Sequence, residues 1–253
     1  PVKKYLLEKN MAHKKTRLGV NIDHVATLRN ARNGSYPDIL KIAKLLKKIN
    51  INSITVHLRE DRRHIRDEDL FNLREKNYLP LNLEMAATEE MKSICLKVSP
   101  FACCIVPEKR QELTTEGGLD VIKNSKKLQR LIDSLRKKKI RVSLFVDPCE
   151  NQITESKNIG ANAIEIHTGR YADIFDSKGD FKVELNKIKL AAKLAVQLGL
   201  ECHAGHGLNY HNVINIKNIS EIEELNIGHF IISQSIFEGI GITVKKFKKI
   251  LSK

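Results

Sequence analysis

Hydrophobic positions along this chain change period in a regular way. Short runs of β-branched and apolar residues recur at 18–23 (LGVNID), 53–58 (SITVHL), 81–86 (LNLEMA), 102–107 (ACCIVP), 141–147 (RVSLFVD), 163–169 (AIEIHTG) and 200–206 (LECHAGH). Their length and composition are those of buried strands. Between them, apolar residues fall at helical spacing over 37–50, 88–98, 119–138 and 183–199, the last two closed by Lys or Gly. Two segments compete for an eighth strand. EIEELNIG (221–228) and HFIISQS (229–235) both read as extended, and the second also fits a helix burying Phe230, Ile231 and Ile236. The first is preferred, because it leaves Gly228 and His229 at the strand's end, as the other strands end in polar groups, with a helix following over 236–251. Strand and helix in alternation mean a parallel sheet. At this length the expected architecture is α/β, a closed (β/α)8 TIM barrel, with an open doubly wound sheet as the alternative.

The strand ends carry the chemistry. In such a barrel the C-terminal mouth holds the active site, and here nearly every strand stops in a polar or ionisable group: Asn21, Asp23 and His24; His57 and Arg59; Glu84; Glu108; Asp147; Glu165 and His167; His206; His229. Any one of these is unremarkable as a cap or a satisfied structural group. Eight strands ending this way imply convergence on one face. The glycine-bearing pieces AGHGLNY (204–210) and NIGH (226–229) suit backbone N–H groups approaching an anion at a helix start, although glycines also make ordinary turns. Arg29, Arg32, Arg59, Arg62, Arg63 and His64 offer a second, basic site, with some of the arginines expected to pair with Glu60, Asp61 or Asp67 instead.

Composition narrows the choice. With 253 residues, 42% hydrophobic and 29% charged, the chain fits one large domain and excludes disordered and disulfide-stapled classes. No apolar run reaches membrane-span length and the first residues have no signal-peptide core, so a soluble, cytoplasmic protein is expected. Five cysteines without a CxxC pair point to reduced, mostly buried thiols. The formal charge of +14 comes largely from lysines sharing amphipathic helices with Leu and Ile, and 5% aromatics with no Trp offer little for base stacking. Nucleic-acid binding is therefore the weaker alternative.

Three chemistries suit the mouth. A Schiff base needs a strand-end lysine, which none of the eight strands supplies; Lys109 sits further out in a loop. His24, His57, Glu84, His167 and His206 allow a metal site in principle, without HxH or HExxH spacing. The third is metal-free acid–base catalysis, with Glu84 on an otherwise apolar strand.

NIDHVATLRNAR, ITVHLREDRRHI, NLEMA, CCIVPEKRQELTTEGGLD, VSLFVDP, IEIHTGRYAD, AGHGLNYHN and ELNIGH, in this order and spacing, resemble the pyridoxine 5′-phosphate synthase family. The resemblance covers residue 18 to about the C-terminus. It leaves residues 1–16 as an N-terminal extension, with Met11 as the expected native start, and 17–253 as a single catalytic domain. It implies a (β/α)8 barrel with extra helices, assembled as a homo-octamer and using no cofactor or metal. The implied reaction condenses 3-amino-2-oxopropyl phosphate with 1-deoxy-D-xylulose 5-phosphate, giving pyridoxine 5′-phosphate, phosphate and water. A metal-dependent phosphosugar aldolase or epimerase is the alternative enzyme.

Carried over residue by residue, the resemblance implies His57 and Glu84 as proton acceptors and His206 as proton donor. Asn21, Arg32, Gly207, Gly228 and His229 would bind the amino ketone phosphate. Asp23, His24, Arg59, His64 and Thr114 would bind the deoxyxylulose phosphate. Segment 107–118 looks like the family's lid. Glu165 and His167 stand as supporting candidates. His203 departs from the family, which commonly has Asn there, and is given no role.

Overall fold

In the computed structural model, which describes residues 15–108 and 117–252, eight parallel strands pair in chain order and the first closes on the last. They are β1 (Arg17–Asn21), β2 (Ser53–His57), β3 (Leu81–Met85), β4 (Ala102–Ile105), β5 (Arg141–Val146), β6 (Ala163–His167), β7 (Glu201–Gly205) and β8 (Ile222–Ile227). The closing register sets Leu18 against Leu225 and Val20 against Ile227. Every strand predicted from the sequence is present, and the choice of 221–228 over 229–235 for the eighth holds. The open-sheet alternative is excluded by the β1–β8 pairing. Among the described residues no helix is long and apolar enough to cross a membrane.

Eleven helices surround the strands among the described residues: α1 (Asp23–Asn30), α2 (Ile39–Ile49), α3 (Asp67–Lys76), α4 (Glu89–Val98), α5 (Ser125–Lys137), α6 (Glu150–Asn158), α7 (Gly169–Asp176), α8 (Lys182–Gln197), α9 (Val213–Lys217), α10 (His229–Glu238) and α11 (Ile240–Leu251). Their starts follow local chemistry. Asp38 caps α2 by accepting from the Leu40 and Lys41 amides at 2.7 and 3.2 Å, and Thr88 caps α4 by accepting from Met91 N.

Three expectations about helices are corrected. Residues 119–124 do not join α5: the Leu119 amide extends β5 by donating to Phe145 O, and Gln152 Oε1 accepts from the Val121 and Ile122 amides. These contacts tie residues 119–122 to β5 and α6, ahead of the start of α5. The stretch 236–251 is not one helix; α10 begins at His229 and the chain turns at Gly239, whose φ of +78° breaks the ladder. Within α10, Ile231 is buried as expected, but Ile236 is 75% exposed, beside Phe237 at 83%.

Strand residues pointing outward, such as Ile54, Val56, Leu83 and Leu144, join the helices' apolar stripes in one continuous core around the barrel. Each fully buried Leu or Ile contributes roughly 1.5–3 kcal/mol. Residues pointing inward are different in kind. A small apolar cluster of Cys104, Val106 and Phe145 sits among Thr55, Asn82, Ser143, Glu165 and Asn226, all buried. The barrel's closed end is ionic: Arg17 pairs with Glu201, Glu223 and Glu224, and Arg141 pairs with Glu201. Four of the five cysteines are buried, Cys149 is exposed and all are free thiols.

Candidate active site

A cavity of about 400 Å³ opens at the C-terminal ends of the strands. It is lined by Asn21, His24, Glu84, His206, Gly207, Gly228 and His229 from the expected set, and by Phe145, Glu165, Asn226, Asp173 and Asp176 besides. Strand geometry explains the convergence. Residues two apart on one strand share a face, so Asn226 and Gly228 point inward from β8 and its continuation, while Phe145 does so from β5.

Two buried carboxyl groups dominate the electrostatics. Glu84 is enclosed by the barrel and exposes part of its side chain to the cavity; burial, then the Glu165 and Asp23 charges, push its pKa well up. Glu165 is pushed up to about 7 by burial, against the downward pulls of His203 and of Asn226, whose amide donates to Oε2 at 2.7 Å. A carboxyl group held at about 7, as Glu165 is, can hold or release a proton near neutrality. His57 stands beside Glu84, its Nδ1 4.0 Å from Glu84 Oε2 and its backbone N–H donating to Asp23 Oδ1 at 2.8 Å.

On the opposite wall His206 follows β7 with a φ of +85°, a left-handed conformation rare for residues with a Cβ. Thr168 fixes it, its hydroxyl donating to the Gly205 and His206 carbonyls at 2.7 and 2.6 Å. Gly207 follows at φ +74°, and a Cβ there would stand 2.7 Å from the Ala172 side chain. Burial, then the neighbouring His167, His229 and His24, pull the His206 pKa down to about 4. The His167 ring packs edge-on to His206 at 4.9 Å, with its Nδ1 3.2 Å from Asp147 Oδ1.

The remaining expected residues sit around this centre. His24 packs against His229 at 5.0 Å, and burial lowers the His24 pKa. The His64 ring is 5.9 Å from His57, its pKa also lowered by burial. Arg59 is buried, its Nε 3.8 Å from Glu108 Oε1. Arg32 is exposed in the turn after α1 and does not line the cavity. Thr114 and most of the expected lid lie outside the described residues.

Of the other arginines, Arg29 makes a buried bidentate pair with Asp69 at 2.5 and 2.8 Å, so it is corrected from an anion ligand to a fastening between α1 and α3. Arg62 pairs with Asp67 and Glu90, and Arg63 with Asp61, as expected of surface ion pairs. His203 faces away from the mouth, its Nε2 3.1 Å from Arg141 Nη2 and 3.0 Å from Glu201 Oε1. Phe145 and Asn226 were not singled out from the sequence. The period-2 alternation with Asp147 and with Gly228 was the signal available for them. Among the described residues no three His, Cys, Asp or Glu side chains form a metal-holding group.

The model of the family described as pyridoxal phosphate biosynthesis protein PdxJ matches residues 18–253. The chain belongs to this family. It is 52% identical over 238 residues to the pyridoxine 5′-phosphate synthase of Zymomonas mobilis, covering 94% of this chain and 92% of that one. The Wolbachia pipientis protein of the same name is also 52% identical, over 94% of this chain and all of its own length. Among solved structures, orotidine 5′-monophosphate decarboxylase from Methanocaldococcus jannaschii superposes with a TM-score of 0.66 at 14% identity, covering 94% of this chain and 100% of that chain. At that identity the likeness shows the barrel fold alone.

Proposed function

We propose that this chain is a pyridoxine 5′-phosphate synthase, condensing 3-amino-2-oxopropyl phosphate with 1-deoxy-D-xylulose 5-phosphate to give pyridoxine 5′-phosphate, phosphate and water. The observation that carries this reading is the 52% identity, over 94% of the chain, to proteins of that name. The cavity supports it. Ring closure requires an amine to attack a ketone, water to leave, an enamine to form and a carbon–carbon bond to close. Each step moves a proton, and acid–base side chains at the mouth can carry it.

In this reading Glu84 and His57 accept protons on one wall and His206 donates on the other. The raised affinity of Glu84 for a proton makes it a stronger base than an exposed carboxylate. His206 is a neutral imidazole in the free protein, and two phosphate-bearing substrates supply the negative charge that favours its protonated form. Asn21, Arg32, Gly207, Gly228 and His229 hold the amino ketone phosphate, while Asp23, His24, Arg59, His64 and Thr114 hold the deoxyxylulose phosphate. Glu165, bonded to Asn226, supports the floor between them.

The same reading takes 17–253 as one catalytic domain, places the protein in the cytoplasm and assembles it as a homo-octamer. Ile236 and Phe237, adjacent and exposed on α10, are the kind of apolar surface that a second copy covers. Light scattering on the eluting protein tests the assembly, for which a mass of eight chains is expected.

The direct test of the function mixes the protein with both substrates, with and without EDTA, and follows both products by chromatography. Matched, chelator-resistant formation of pyridoxine 5′-phosphate and phosphate is the expected result. Chelator-sensitive turnover would favour the metal-dependent alternative, and no product from folded protein would refute the reading. A second expectation concerns His206: its ring resonances should titrate near pH 4 in the free protein, and higher once inorganic phosphate is added. A midpoint indifferent to phosphate would detach His206 from the anion sites.

A further inference from the structure

Glu108 follows β4 and has no part in the roles described so far, yet its side chain is only 1% exposed. Its Oε1 accepts the Glu60 backbone N–H at 2.8 Å and lies 3.8 Å from Arg59 Nε. Its Oε2 stands 3.4 Å from Nε2 of His57, whose other ring nitrogen, Nδ1, faces Glu84 at 4.0 Å. Both Oε2 and Nε2 are buried and have no other hydrogen-bond partner. A buried acceptor and a buried ring nitrogen left facing each other cost free energy unless a hydrogen lies between them. Contacts of this kind are often long before substrate binds and tighten in the complex.

We propose that Glu108 is a positioning residue for His57: it holds the ring hydrogen on Nε2 and so leaves the lone pair on Nδ1, the nitrogen turned toward Glu84. This rests on the reading of His57 as a proton acceptor. The two carboxyl groups that flank the ring differ in character. Burial pushes the Glu84 carboxyl up, whereas for Glu108 burial is outweighed by His57, the Glu60 amide and Arg59, leaving its pKa below the usual value. Glu108 is the fixed charge and Glu84 the exchangeable proton. His64 stands 5.9 Å from the ring and Arg59 faces Glu108, both from the β2 loop, while Asp23 holds the backbone N–H behind the ring. Without the Glu108 carboxylate the Nε2 hydrogen loses its acceptor, and the lone pair on Nδ1 is no longer held toward Glu84.

The test uses the whole protein labelled with 15N-histidine, the His57 signals assigned by their loss in His57→Asn. Unaltered protein should show the neutral His57 ring protonated at Nε2. Glu108→Gln should lower kcat about tenfold or more with KM for both substrates within about twofold. Glu108→Asp, which keeps a carboxylate acceptor, should recover part of the lost kcat. A hydrogen on Nδ1 in the unaltered protein overturns the proposal, even if Glu108→Gln fails to fold. So does a folded Glu108→Gln with unchanged kcat. Full turnover in His57→Asn would instead overturn the reading of His57 itself, an outcome distinct from failure at Glu108.

Discussion

Replacing Glu84 with Gln is expected to lower turnover by about 10²- to 10⁴-fold, the range general acid–base groups contribute, while the barrel stays folded and still binds inorganic phosphate. Gln keeps the size and most of the hydrogen bonding of the side chain but cannot take a proton. The effect on stability carries a sign that separates this from ordinary core damage. Glu84 holds its proton more tightly in the folded protein than in the unfolded chain, where a glutamate titrates at about 4.3. The stability due to that difference is fully present below pH about 4.3 and is lost as pH rises through the folded-state value. Gln has no proton to lose, so the variant should gain on the parent as the pH is raised above about 4.3 in urea titrations. Parental turnover would remove Glu84 from the mechanism, and a pH-independent stability difference would remove the linkage.

Gly205→Ala is expected to destabilise the barrel and the site together. A Cβ at the end of β7 would stand 2.5 Å from Glu165 Oε1 and 2.7 Å from the Asn226 carbonyl oxygen. The second of these is backbone, fixed by the pairing of Gly205 with Asn226 across β7 and β8. Glu165 would have to yield, giving up its bond with the Asn226 amide and leaving a buried carboxyl short of a partner. Overpacking of this sort costs about 1–3 kcal/mol, and the rigid neighbour places this site toward the upper end. Denaturant midpoints and kcat should fall together. A variant within about 0.5 kcal/mol of the parent would show that β7 can move away from β8.

Particular residues show how far the sequence could be read. The eight strands and the helices at 37–50, 88–98 and 183–199 were legible because each depends on a local period and local caps. Failures came where a distant group intervened. Gln152 of α6 claims the amides of residues 121 and 122, and the apolar Ile236 lies exposed, against the burial that its helical spacing suggests. Arg29 and Arg32 look alike in ATLRNARNG, yet Asp69, forty residues on, claims the first and not the second. Glu108 reads as one more polar strand end until the barrel sets it against His57.

The sequence by itself determined which residues form strands, which stand at their C-terminal ends and hence which chemistry meets at the mouth, because strand periodicity and chain order are properties of neighbours along the chain. Only the tertiary structure decided which of those groups are buried, which pair, and which keep a proton. Those outcomes depend on closing β1 onto β8 and bringing together groups as far apart as Arg17 and Glu224, 207 residues distant. Desolvation and charge–charge energies are set by distances across the barrel, and a linear pattern of polar and apolar residues carries no record of those distances.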